Sequence, residues 1–411
     1  LSYKWDLDND GSYEVSGITV TFSAVGRDGP DQQTVNLLVD VGMQTAIDSV
    51  TIDIKNVSPT IVSLIGPVNP IEEPGSATLH GTFTDPALDK DNYGGTALWS
   101  DGVSTAVAID GYTFSATRDF PDDHPATGTA TDNFIANVTI ADEDGGATSQ
   151  DAAQVTINNV PPTAVIDMVE DEVGNLVGEE IDVILVGLEI DLTASFADVG
   201  LLDTHVAAID WDNGTVDGDF TSSPIEYAHV YSNTGSLQID VTVTDDDTGT
   251  VTVSETLTVV DAIGAVDNVI ERLTDFVNDS EKDAQAGNFA QAALDKLAGN
   301  KKGRAANGAI DMLRKGNWNA AFIELIMASE ELQQADPLTD DNLAILVSQL
   351  ALTAKSKALE LLADAQDNAT KPSELKRAKS ANELIQQGNQ LLESGDMVSA
   401  VDAYRKGVSR L

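Results

Sequence analysis

The residues best placed to do chemistry in this chain are carboxylates. Asp6, Asp8 and Asp10 alternate ahead of Gly11, and Glu14 follows. Alternating acids closed by a glycine turn can gather oxygen ligands around a hard cation, as the first half of an EF-hand loop does. Position twelve of such a loop falls on Gly17 rather than a bidentate glutamate. The segment therefore reads as a shorter calcium loop, with Glu14 as a further ligand. Asp142-Glu-Asp144 and Asp245-Asp-Asp247 concentrate charge in the same way, and Asp85/Asp89/Asp91 and Asp198/Asp203 add to it. Neighbouring carboxylates repel unless they are hydrated or bridged by a cation. The expected metal ligands are Asp6, Asp8, Asp10, Glu14, Asp142, Asp144, Asp245 and Asp247, and the expected cofactor is calcium. The competing reading is a set of solvated turns, since Asp, Asn and Gly are ordinary turn formers.

Other chemistries have less to stand on. The chain has no cysteine, which removes disulfides and thiolate catalysis. His80, His124, His205 and His229 are scattered without the paired spacing of a zinc site or a hydrolase base. Phosphate-binding loops, dinucleotide fingerprints and nucleophile elbows do not occur. We expect no enzyme activity. Trp5, Trp99 and Trp211 sit in equivalent turns, where packing explains them better than sugar stacking.

The acidic turns belong to a repeated element, a strand, a turn and a second strand. It appears as Asn36-Leu-Leu-Val-Asp40 with Gly42, Asn137-Val-Thr-Ile-Ala-Asp142 with Gly145, and Asp240-Val-Thr-Val-Thr-Asp245 with Gly249. The turns begin 102 and 103 residues apart. That period makes serial modules of about 100 residues, enough for one β-sandwich core each. Alternating apolar residues, as in Val50-Thr-Ile-Asp-Ile54, predict antiparallel strands up to residue 261. Asn56-Val-Ser-Pro-Thr60 and Asn159-Val-Pro-Pro-Thr163 are linkers whose prolines end a ladder and stiffen the joint.

Of the net charge of −46, residues 1–261 carry nearly all, with 46 acids against 5 bases. A local cause such as divalent cations fits that asymmetry better than general acidification. It also argues against nucleic acid, whose phosphates need Lys and Arg. No apolar run reaches 18 residues, so no membrane span is expected, and no leader is apparent at Leu1.

The modules resemble the polycystic-kidney-disease (PKD) repeat family in their tryptophan turn and late strand hairpin. The third carries Trp211-Asp-Asn-Gly214 and Val241-Thr-Val-Thr-Asp-Asp-Asp-Thr-Gly249, and the second departs more, with Trp99-Ser-Asp-Gly102. The resemblance implies serial immunoglobulin-like antiparallel β-sandwiches acting as extracellular spacers and interaction modules. The first module begins at Tyr3-Lys-Trp-Asp and so lacks the strands before its tryptophan. It is expected to be an N-terminal processing product, a chosen boundary, or a sheet whose open edge another chain's strand completes.

From about Ile263 the apolar period becomes helical: Val266, Val269, Ile270, Leu273 and Val277 share a face. A long helix is expected near Asp340, with Thr339 as its N-cap and acids in its first turn. Gly287-Asn-Phe-Ala-Gln-Ala292, Gly316-Asn-Trp-Asn-Ala-Ala321 and Gly395-Asp-Met-Val-Ser-Ala400 read as helix-hairpin turns, each glycine closing one helix. Gly388, Gly395, Ala400 and Tyr404 resemble the spacing of a tetratricopeptide repeat. Lys371 to Lys379 is a basic cluster that can meet an acidic module of another copy.

The expected architecture is multidomain: a partial β-sandwich at 1–57, sandwiches at 58–160 and 161–261, and an all-α helical bundle at 262–411. The expected function is a non-catalytic structural protein of the extracellular space or cell surface, calcium-stabilised and able to polymerise into a filament or surface layer. The alternatives are the C-terminal accessory region of a large secreted hydrolase, or an adhesin or carbohydrate-binding surface protein. Expected partners are further copies of itself, cell-surface components or glycans.

Overall fold

The computed structural model describes residues 1–411 except 28, 88–91, 124–127, 153, 280–282, 300–306 and 340. Asp89, Asp91, His124 and Asp340, all singled out above, lie outside the described residues. The chain forms two compact units. The first comprises Leu1–Pro162 with the loops Asp198–Thr204 and Asp245–Gly249, and the second comprises Thr163–Ala197, His205–Thr244 and Thr250–Leu411.

In the first unit, strands β1 (Ser2–Asp6), β2 (Val15–Ser16), β3 (Asp31–Asp40) and β4 (Thr45–Ile54) form one sheet in the order β2-β1-β3-β4. The β3–β4 turn is set locally. Asp40 Oδ1 accepts from the Gly42 N–H at 2.7 Å, and Gly42 takes a left-handed φ of +92°. Among the described residues this repeat contributes no second sheet. Its tryptophan, Trp5, is accordingly only half-buried, while Trp99 and Trp211 are fully buried in their own repeats.

The second repeat adds β5 (Thr60–Ile65), β6 (Ile71–Glu72), β7 (Gly75–Thr84), β8 (Tyr93–Trp99), β9 (Ser104–Ala106), β10 (Ala108–Asp110), β11 (Thr113–Phe120), β12 (Thr131–Phe134), β13 (Ala136–Asp142), β14 (Ala147–Asp151) and β15 (Val155–Asn158). They pair as β10-β11-β7-β5, β14-β13-β8-β9 and β12-β15-β6. All three sheets contribute to one core: Leu79 and Phe114 from the first, Trp99, Val138 and Ile140 from the second, and Phe134 and Ile157 from the third. Along β13, Ala136, Val138 and Ile140 are buried and the residues between them are not, which is the two-residue period of a strand. Each fully buried aliphatic or aromatic side chain of this kind contributes about 1.5–3 kcal/mol.

The second unit opens with β16 (Thr163–Asp171), β17 (Ile184–Leu185), β18 (Glu189–Ala197), β19 (His205–Asp210), β20 (Val216–Phe220), β21 (Ile225–Val230), β22 (Gly235–Asp245) and β23 (Thr250–Val260). The orders are β16-β18-β21 and β17-β23-β22-β19-β20, around a core that includes Leu192, Ile209, Trp211, Val241 and Leu257. Among the described residues seven α-helices follow: α1 (Ala262–Asn278), α2 (Ala284–Ala298), α3 (Ala309–Arg314), α4 (Trp318–Ala335), α5 (Ala344–Asp367), α6 (Pro372–Glu393) and α7 (Met397–Val408). No helix among the described residues is long and apolar enough to cross a membrane. Asp261 caps α1, accepting from the Ile263 and Gly264 N–H groups at 3.0 and 2.9 Å. Helix and sheet share this unit directly: Ser356 Oγ donates to the Val186 carbonyl at 2.8 Å, and Lys355 Nζ lies 2.7 Å from Glu172 Oε1. Helix α5 is buried on every side from Ile345 to Ala354, with the polar Ser348, Gln349 and Thr353 buried among its apolar residues.

Two helix expectations are corrected. Helix α5 starts at Ala344, after a 3-10 turn at Asp336–Leu338, and Thr339 does not cap it. Asp336 Oδ1 accepts from the Ala344 N–H at 2.9 Å instead, an acceptor eight residues back that local pattern does not reveal. Gly287 lies inside α2 rather than closing a helix. Gly316 and Gly395 do close α3 and α6, with φ of +71° and +82°. Gly388 has a packing role, since an added Cβ would stand 2.4 Å from the ring of buried Tyr404.

Candidate metal centre

The Asp6 loop is gathered by its own backbone. Asp6 Oδ1 accepts from the Asn9 N–H at 2.7 Å, and Oδ2 from the Gly11 N–H at 3.1 Å and Asn36 Nδ2 at 3.2 Å. Asp10 Oδ1 accepts from the Ser12 N–H at 2.8 Å. One oxygen each from Asp6, Asp8, Asp10 and Glu14 lies within 4.8 Å of the others, with Asp6 buried and the other three exposed. Burial works against the charged form of Asp6, but the donors from Asn36, Gly11 and Asn9 outweigh it and hold its carboxyl below the usual range.

Asp142 and Asp245 organise equivalent hairpins. Asp142 Oδ1 accepts from the Asp144 and Gly146 N–H groups at 3.1 and 2.7 Å, and Oδ2 from Asn56 Nδ2 at 3.0 Å. Asp245 Oδ1 accepts from the Asp247 and Gly249 N–H groups at 3.0 and 2.6 Å, and Oδ2 from Asn159 Nδ2 at 2.9 Å. Each asparagine belongs to the linker ahead of its hairpin's own repeat. An added Cβ on Gly146 would stand 2.3 Å from Asp142 Oδ2, and one on Gly249 2.1 Å from Asp245 Oδ2. The counterpart of Gly249 is therefore Gly146, not Gly145. Gly145 instead supplies the left-handed turn residue, at φ +91°, a place taken by Thr248 at φ +76° in the other hairpin. Asp144 is exposed, whereas Asp247 is buried and accepts from the Gly128 N–H at 3.0 Å.

A further group forms within the first unit from residues far apart in sequence. Glu73 precedes β7, Asp122 and Asp123 follow β11, and Asp203 lies in the 198–204 loop. One oxygen from each lies within 4.8 Å of the others. Glu73, Asp122 and Asp123 are 3%, 5% and 0% exposed. The Asp123 N–H donates to Glu73 Oε2 at 2.6 Å, and the Val160 N–H donates to Oε1 at 2.9 Å. The loop carrying Asp203 is held by the Leu201 N–H on the Pro121 carbonyl at 3.2 Å and the Thr204 N–H on Asp246 Oδ1 at 2.6 Å. Asp203, Asp246 and Asp247 form an adjoining acidic group. Among the described residues, both oxygens of Asp123, Oδ1 of Asp122 and Oδ2 of Asp203 are buried with no hydrogen-bond donor.

Burial pushes Asp123 up to about 8, reinforced by the charges of Asp247, Glu73, Asp132 and Asp122. Burial, with Glu73 and Asp122 beside it, takes Asp203 to about 8, and burial takes Glu73 to about 7. The donor set is all oxygen, the chemistry of calcium, magnesium or manganese rather than zinc. Of the sequence-derived ligands only Asp247 borders this group. Asp203 is among the acids that add to the charge concentrations in the sequence. The doublets Glu72-Glu73 and Asp122-Asp123 were the remaining signal, but among 68 acids nothing in their spacing sets them apart.

No family model matches the chain, and no curated protein matches it. Among solved structures it is similar to a chimeric titin Z1Z2-Z1Z2 tandem at 14% identity, covering 49% of this chain and 99% of that one, with a TM-score of 0.20. It is also similar to the adhesin InvE of Yersinia pseudotuberculosis, at 9% identity, 47% and 58% coverage and a TM-score of 0.24. Mouse protocadherin-24 EC1-3 matches at 12% identity, 63% and 89% coverage and a TM-score of 0.21.

Proposed function

We propose that this chain is a non-catalytic structural protein of the cell surface or extracellular space. Its immunoglobulin-like, PKD-type modules, bounded at 1–57, 58–160 and 161–261, serve as calcium-stabilised spacers. Its helical region, 262–411, carries tetratricopeptide-like hairpins for docking or self-assembly. The observation that carries the reading is the repeated clamp of linker to hairpin, Asn56 on Asp142 and Asn159 on Asp245. A linker fastened to the module it precedes resists bending at the joint, which a spacer needs and a catalyst does not. The acids of the Asp6 loop and the hairpin acids Asp142, Asp144, Asp245 and Asp247 are the proposed calcium-facing residues outside the buried group.

Negative-stain microscopy of the purified chain with calcium tests the assembly. Filaments or lattices are expected, and isolated single molecules at every concentration would refute self-assembly. Antibody labelling of intact source cells tests the location: surface staining is expected, and staining only after permeabilisation would refute it.

A further inference from the structure

We propose that Glu73, Asp122, Asp123 and Asp203 form a calcium site that fastens the 198–204 loop to the β-sheets of the first unit. The site is distinct from the sequence-derived ligand set, and its existence does not depend on the surface role of the chain.

The argument begins with Asp123. A buried carboxylate is tolerated when donors satisfy its oxygens, as those of Asp6 and Asp245 are satisfied by N–H groups. Asp123 is 0% exposed, and among the described residues neither of its oxygens has a donor. Its neighbours make this worse, since three more carboxylate oxygens converge on the same point. Among the described residues no lysine or arginine forms an ion pair with any of the four. A bound cation supplies the missing positive charge and occupies the idle lone pairs together.

The geometry suits that role. Calcium–oxygen distances of about 2.3–2.6 Å place ligands on opposite sides of the ion about 5 Å apart, which accommodates oxygens within 4.8 Å of one another. Glu73 is pinned by two backbone donors, so one corner of the site is preorganised. Gly200 leaves the space open: an added Cβ there would stand 2.3 Å from Asp203 Oδ2 and 3.1 Å from Glu73 Oε1. Asp203 is the one ligand from the 198–204 loop, so the ion ties that loop to segments 80 and more residues earlier in the chain.

The test uses the full chain stripped with EDTA and titrated calorimetrically with calcium chloride and, in parallel, magnesium chloride. Asp123→Asn and Asp203→Asn are compared with a control carrying Asp8→Asn and Asp10→Asn in the exposed loop. Each of the first two variants is expected to bind one calcium fewer than the wild type and to lose most of the calcium-induced rise in Tm. Their metal-free Tm is expected to equal or exceed that of the wild type, because asparagine is neutral among the neighbouring carboxylates without having to take up a proton. The control is expected to keep the buried ion. Hydrogen exchange of residues 198–204 is expected to slow with calcium in the wild type and not in Asp203→Asn. Equal stoichiometry and equal Tm shifts in the wild type and both variants would overturn the site, and equal affinity for magnesium would overturn the choice of ion. If Asp123→Asn does not fold, the loop variant Asp203→Asn carries the comparison alone. Failure to see filaments bears only on the surface reading and leaves the titration decisive here.

Discussion

Asn159 Nδ2 donates to Asp245 Oδ2 at 2.9 Å, and 103 residues earlier Asn56 Nδ2 donates to Asp142 Oδ2 at 3.0 Å. The same aspartate in each case accepts two backbone N–H groups of its own turn through the other oxygen. One side chain thus shapes a hairpin and grips the linker before it. Replacing Asn159 with alanine leaves Asp245 Oδ2 short of its donor in a buried place, a loss of about 1–3 kcal/mol. Asn56→Ala is expected to cost less, because that bond is only partly buried. Urea denaturation of both variants checks the order, and an equal or larger loss for Asn56→Ala would contradict it.

Gly249→Ala drives a methyl group against Asp245 Oδ2 and to 2.9 Å from Asn159 Nδ2. Overpacking of this kind costs about 1–3 kcal/mol. Because the added methyl and Asn159 Nδ2 meet the same oxygen, Asp245 Oδ2, the double variant Asn159→Ala with Gly249→Ala should lose less than the sum of the two. Strict additivity in thermal melts would show that the two groups do not share a contact.

His229 gives the second unit a pH dependence. Its ring stacks on Trp211, with centroids 4.2 Å apart, and Asn213 Nδ2 lies 2.9 Å from Nε2, a pairing that needs a neutral ring acceptor. Burial lowers its pKa, and the charge of Asp217 opposes that only in part. The folded value thus lies below the unfolded one of about 6.5. The unfolded chain takes up the proton first, so the stabilisation is complete above pH 6.5 and is lost as pH falls through the folded value. Denaturation curves between pH 7.5 and pH 5 should show a steeper fall for the wild type than for His229→Phe. Parallel curves would refute the assignment.

Lys355 and Glu172 join helix α5 to the sheets of the second unit. Burial raises the pKa of Glu172 despite the pull of Lys355. Lys355→Met is expected to destabilise by about 1–3 kcal/mol at neutral pH. The variant should recover as pH falls, because protonation removes the stranded charge. Adding Glu172→Gln should restore most of the loss at neutral pH. A double variant no better than Lys355→Met in urea titrations would show that charge is not the cause.

Much of this chain follows from order along the sequence alone. The strands, the Asp-led turns and the helical faces depend on residues within a few positions of each other, so a two-residue or 3.6-residue period and a glycine at Gly42, Gly316 or Gly395 suffice to anticipate them. The 103-residue period likewise located both linkers and both hairpins. What the period did not disclose is that Asn56 grips Asp142 and Asn159 grips Asp245, or that Gly146 answers to Gly249. Those facts depend on side chains meeting across 86 residues of chain. The start of α5 eluded local pattern because its acceptor, Asp336, lies a turn and a loop away. The buried group of Glu73, Asp122, Asp123 and Asp203 is the extreme case. Three separate segments supply it, each an ordinary acidic turn by itself. Only packing removes them from water and leaves Asp123 without a donor. Burial, which changes what a carboxylate must bind, is a property of the fold and not of the residue.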